Sequence, residues 1–168
     1  THSVGRRWIE AGLKGNIISI LATWVWTGSP YVVPSAMSKS AINAMTKSLA
    51  VEWGPYNIRV NAIAPGPFPT EGAWARLSPK GDLDNDSSYS AIPLGRVGEM
   101  SELQNLASFL MADGCDYLTG QTIAIDGAQY ITGGGTFSGL SKLKDSDWEE
   151  IKSMIKSTNE KDKANRNT

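Results

Sequence analysis

Two short runs, residues 16–21 (Asn-Ile-Ile-Ser-Ile-Leu) and 58–64 (Ile-Arg-Val-Asn-Ala-Ile-Ala), are dominated by apolar, largely β-branched side chains. They read as strands buried on both faces, the pattern of a parallel sheet covered by helices. A third run of the same kind, 122–125, is closed by Asp126-Gly127. Helical patterns lie around them. Val4, Trp8, Ile9 and Leu13 recur at helical spacing, with Gly12 and Gly15 as stops. After a Gly-Ser-Pro turn at 28–30, a longer helix starts near Pro34 or Ser35. Its core stripe is Ile42, Met45, Leu49 and Trp53, and Gly54 and Pro55 end it. The alternation predicts an α/β domain with a parallel sheet covered by helices on both faces. Three strands are few for that architecture.

The rest of the chain is punctuated more loosely. The segment 65–69, Pro-Gly-Pro-Phe-Pro, is stiff; 70–77 reads as a short helix and 80–90 as a polar loop. Ser101-Glu102-Leu103-Gln104 has the Ser-x-x-Gln form of a capping box and opens a helix with Leu103, Leu106, Ala107 and Leu110 on its buried face. A Gly-rich stretch at 133–135 leads to a last helix capped by Ser146 and Glu149, with Trp148, Ile151 and Ile155 on one face. From Asn159 the tail is polar and is expected to be disordered. The expected division is a domain over 1–140 and a helical extension with a disordered tail over 141–168.

Composition narrows the functional classes. A chain of 168 residues forms one domain more readily than two. Its formal net charge of −1 gives no electrostatic reason to expect nucleic acid or an anionic membrane as partner. No apolar run approaches a membrane span, and the first residues lack the form of a signal peptide. Cys115 is the only cysteine, which excludes an intrachain disulfide and fits a reducing, cytoplasmic compartment. His2, the only histidine, lies at the extreme terminus, so no transition-metal site is expected.

Specific chemistry is concentrated in the helix with Ser35-Ala36-Met37-Ser38-Lys39, the strand Ile58-Arg59-Val60-Asn61-Ala62-Ile63, the Pro65-Gly66 turn and the ending Asp126-Gly127-Ala128. In this order, over nearly the whole chain, these motifs resemble the C-terminal half of the short-chain dehydrogenases/reductases, most closely the 2,4-dienoyl-CoA reductases. The resemblance implies the C-terminal part of a Rossmann-like doubly wound parallel sheet with helices on both faces, and the active-site helix of that family has the signature Tyr-x-x-x-Lys. The resemblance implies that Lys39 holds the nicotinamide ribose hydroxyls, where a cation also favours ionisation of a nearby proton donor. A solvated helix lysine is the plain alternative. Ser35 stands where most of the family has tyrosine, one turn before Lys39 and on the same helix face; it reads equally as a helix N-cap.

Serine at that position, preceded by Thr27-Gly28-Ser29 and Val32-Val33-Pro34, resembles the dienoyl-CoA reductase branch. Members of the mitochondrial type carry their tyrosine on the loop after the preceding strand, a position held here by Trp24. An indole N–H donates a hydrogen bond but does not release its proton at useful pH. Ala22 stands near the place of the family's helper serine, and Tyr31 is the nearest phenol. Trp24 and Trp26 are expected to wall a substrate pocket or form a subunit contact. The resemblance further implies that Pro65, Gly66, Pro67 and Phe68 lie beside the nicotinamide, with Thr70 supporting the cofactor. Arg76 would bind the CoA part of the substrate, as a guanidinium suits a phosphate. Turn formation without a ligand, and a surface arginine, are the alternatives.

The Gly-rich phosphate loop of the family is not encoded in these residues, and neither is a residue for the adenosine ribose. The expectation is a fragment whose parent is an NADP- or NAD-dependent reductase of a small-molecule substrate, an unsaturated acyl-CoA among the candidates, in a homo-oligomer. The competing expectation is a non-catalytic relative that binds nucleotide, acyl-CoA or a partner subunit, because tyrosine is replaced by Trp24.

Overall fold

The computed structural model describes residues 1–70, 89, 91–133 and 137–166. Of the helix expected over 70–77, residues 71–77 with Arg76 lie outside them, as do most of the loop over 80–90, Gly134 and Gly135. In chain order the elements are α1 (His2–Glu10), β1 (Gly15–Ile20), α2 (Trp24–Thr27), α3 (Val33–Trp53) and, after a 3₁₀ turn Gly54–Tyr56, β2 (Ile58–Pro65). Then follow α4 (Met100–Met111), a 3₁₀ turn Asp113–Cys115, β3 (Thr122–Ile125), α5 (Gln129–Thr132), a 3₁₀ turn Ser138–Lys142 and α6 (Asp145–Arg166).

The three strands form one parallel sheet in the order β1-β2-β3, with Gly15 opposite Ile58 and Ala62 opposite Thr122. β2 is buried on both sides, and its period of two sorts its neighbours. Ile58 and Val60 face Leu49, Ala50 and Trp53 of α3, with Trp8 and Ile9 of α1 packed beside them, and Ala62 and Ala64 join Leu21 against Ile42 and Val25. Arg59 and Asn61 point the other way. The Arg59 guanidinium donates to the carbonyls of Leu110 (3.0 Å), Ala112 (3.1 Å) and Leu118 (3.2 Å), and Asn16 Nδ2 donates to Leu110 O at 2.7 Å. The last carbonyls of α4 are thereby capped by a cation, where the helix dipole favours one. Asn61 donates to Leu118 O (2.8 Å) and accepts from Gln121 N (3.0 Å), fixing the loop that feeds β3. Helices therefore cover both faces, as the apolar strands predict.

Three local expectations need correction. Ser35 is no N-cap: α3 begins at Val33, with Pro34 in its first turn where a missing N–H costs nothing. The capping box of α4 is Glu99 with Glu102, not Ser101 with Gln104. The last helix starts at Asp145, with Asp147 accepting from the Lys144 N–H at 2.8 Å, and it continues to Arg166 where a disordered tail was expected from Asn159. The chain divides into two compact units, Thr1–Thr132 and Gly133–Thr168.

Candidate active site

β1, β2 and β3 release the chain at Leu21, Gly66 and Asp126, and ligands of open α/β sheets bind outside such carboxyl ends. α3 runs back along the sheet. Its Trp53 end packs near Ile58 at the start of β2, whereas Ile42 packs on Leu21 and Ala64 at the other end. The first turns of α3, with Ser35 and Lys39, therefore stand at the carboxyl edge. Lys39 Nζ donates to Ile20 O, the last carbonyl of β1, at 2.7 Å. An ammonium has three N–H donors, so this bond fixes Lys39 and leaves donors for a ligand. Both Ser35 and Lys39 are half-buried.

The turn after β2 is clamped from two sides. Gly66 N donates to Ile125 O at 2.9 Å, and a Cβ on Gly66 would lie 2.6 Å from the Asp126 Cβ, so only glycine allows this approach. On the other side Gly98 N donates to Pro67 O at 3.0 Å, and Gly98 lies so close to the Phe68 ring that a side chain there would overlap it. A cleft of about 70 Å³ lies between these segments, lined among others by Pro67, Phe68, Arg96, Gly98 and Asp126. At its wall Arg96 makes a two-pronged bond to Glu102, both contacts at 2.8 Å, and the Glu99 N–H adds a third at 2.8 Å. Arg96, and then the backbone N–H, hold the Glu102 carboxyl down to about 2 from 4.5, and the same contact raises Arg96. Thr70 is exposed.

After β1, Ala22 is buried and Trp24 opens α2. The Trp24 Nε1 is buried and has no hydrogen-bond partner among the described residues. Trp26 stacks on Tyr130, ring centroids 4.8 Å apart and planes at 29°. Tyr31 is fully exposed, with a left-handed backbone (φ 64°). Asp126, nearly buried, accepts from Ala128 N (3.0 Å) and Tyr130 N (2.8 Å) and so sets the start of α5. The structure thus brings Ser35, Lys39, Trp24 and the 65–68 turn to one edge of the sheet. Sequence reasoning overlooked Tyr130, the Arg96–Glu102 pair, and Arg59 and Asn61. A signal existed for the last two, since a cation and an amide inside a strand buried on both faces must have partners.

Among the described residues no helix is long and apolar enough to cross a membrane, and no group of three or more potential metal-ligating side chains occurs. The family model described as enoyl-(acyl carrier protein) reductase matches residues 2–128. A Caenorhabditis elegans protein named as a probable 2,4-dienoyl-CoA reductase is 39% identical over 168 residues, covering 98% of this chain and 54% of that protein. A crystal structure of a short-chain dehydrogenase from Bacillus anthracis is 43% identical with a TM-score of 0.65, over 77% of this chain and 48% of the other. A gluconate 5-dehydrogenase from Burkholderia cenocepacia, solved with NADP and tartrate, is 33% identical with a TM-score of 0.68, over 76% and 49%. The chain spans about half the length of the relatives it matches. By sequence, strand order and the elements around its carboxyl edge, this chain belongs to the short-chain dehydrogenase/reductase family of oxidoreductases.

Proposed function

We propose that the protein carrying this chain is an NADP-dependent reductase of an unsaturated acyl-CoA. The observation that carries the reading is the Lys39–Ile20 bond, which holds an ammonium at the carboxyl edge beside the clamped 65–68 turn. Support for the substrate class comes from the dienoyl-CoA reductase relative, and for the cofactor from the NADP-bound neighbour.

The residues present fit the nicotinamide end of such a cofactor. When bound, the dinucleotide supplies a hydride. Lys39 offers its remaining N–H donors to ribose hydroxyls, the backbone of Pro65, Gly66, Pro67 and Phe68 faces the carboxamide, and Thr70 supports them. Ser35 lies on the Lys39 face of α3 and orients the reacting group by a hydrogen bond. An unpaired buried donor costs about 1–3 kcal/mol, and a thioester carbonyl accepting from the Trp24 Nε1 would remove that cost. The indole polarises such a carbonyl and keeps its proton. Arg76 is assigned to the CoA phosphates.

The test uses the full-length protein with NADPH and a dienoyl-CoA. Lys39→Ala is expected to lower turnover about 10²-fold or more and to weaken cofactor binding, the scale of losing a positioned catalytic group. Trp24→Tyr supplies a phenol and is expected to raise turnover. Unchanged kinetics in the Lys39 variant would return that residue to a solvated lysine. Absence of any reduction, with acyl-CoA still bound, would favour a non-catalytic binding protein.

A further inference from the structure

We propose that the stacked pair Trp26–Tyr130 is the wall that selects the acyl chain of the substrate. This rests on the acyl-CoA reading above and adds to it the residues that set chain-length preference. β2 lies between β1 and β3, so a ring from the segment after β1 meets a ring from the segment after β3 only by crossing the line of β2. The pair thus spans the sheet at its ligand-binding edge.

Both rings are held from behind. α2 is anchored by Val25, which packs against Leu21, Ala62 and Ala64, and closes with Gly28 N donating to Trp24 O at 2.9 Å. The backbone that carries Tyr130 is held by Asp126, whose carboxylate accepts from the N–H groups of Ala128 and Tyr130. Ala128 itself adopts φ 70°, a left-handed backbone that a side chain disfavours. Such strain persists where the surroundings over-determine it, and functional sites are where it clusters. Trp26 nevertheless remains 40% exposed, and Tyr130 is half-buried. A partly open plate of two aromatic rings carries no charge to hold a phosphate, and its apolar area matches an extended apolar chain.

The full-length protein is tested by calorimetric binding of saturated short- and long-chain acyl-CoA, and by KM for short- and long-chain dienoyl-CoA. Trp26→Ala and Tyr130→Ala are each expected to weaken long-chain binding and raise long-chain KM about tenfold, the scale of lost apolar contacts in a pocket. The short-chain values should move less than about twofold. The double variant should lose little more than either single one, because the rings act as a unit. Tyr130→Phe keeps the stack and the native fold, and is expected to retain the long-chain preference. Equal weakening for both chain lengths, or no chain-length preference in the unsubstituted protein, overturns the wall. Loss of the preference in Tyr130→Phe would overturn it also, by assigning the role to the hydroxyl. Chain-length-dependent binding without any reduction would sink the reductase reading and leave the wall standing.

Discussion

Ala128 shows how a single backbone angle can be diagnosed from its surroundings. Its φ of 70° is imposed by Asp126, whose carboxylate ties down the N–H groups of Ala128 and Tyr130, and its side chain is exposed. A methyl group in the left-handed region costs about 1–2 kcal/mol. Glycine would remove that cost while adding about 0.4–1 kcal/mol of freedom to the unfolded chain. Ala128→Gly is therefore expected to stabilise the fold by about 0.5–1 kcal/mol, read as a higher denaturant midpoint with an unchanged slope. At this scale the sequence made legible that Ser35 and Lys39 share one face at the start of a helix, and the structure sets that face at the carboxyl edge of the sheet. It was not legible where meaning comes from a distant partner. Nothing near Tyr130 in sequence points to Trp26, more than a hundred residues away.

The strands were legible because burial on both faces leaves apolar runs with no polar face to confuse the period, and the three segments pair in parallel as those runs imply. Helix starts were read less well. Serine is the better intrinsic cap, but Arg96 pins Glu102, and Glu102 in turn accepts from the Glu99 N–H, which fixes the first turn two residues earlier than Ser101 would. The tail after Asn159 misled for another reason. Its lysines and glutamate are polar yet good helix formers, so polarity alone does not end α6. The Arg96–Glu102 pair also predicts a pH response. The Glu102 carboxyl titrates near 2 when folded and near 4.5 otherwise, so its contribution is fully present above about pH 4.5 and is lost as pH falls toward about 2. Glu102→Gln should lower stability at neutral pH, and its difference from the unsubstituted protein should vanish toward pH 2. Denaturant melts across that window check the sign; a difference that grew on acidification would show that another group controls it. The effect is small, because both side chains are solvent-screened.

At the scale of the molecule, β1 is one of the two outer strands of the described sheet, and it is only half-buried while β2 is covered on both faces. Its outer backbone groups are available to another strand, and unpaired edges beside apolar side chains associate. These 168 residues also carry no Gly-rich loop to grip a pyrophosphate. The chain by itself is expected to bind NADPH weakly and to be associated or to precipitate. Calorimetric titration and light scattering measure both, and micromolar affinity in a monodisperse monomer would contradict it. The lysine's attachment to β1 carries a different consequence. Ile20 O lies where Lys39 can reach it only if β1 stands in its observed alignment with β2, Ile20 opposite Ile63. A strand slipped by one residue would present its other face and carry that carbonyl away. The ammonium then works as a proofreader of assembly: a misaligned protein could be compact, soluble and helical, and still be silent, so specific activity per folded molecule would report the fidelity of strand pairing.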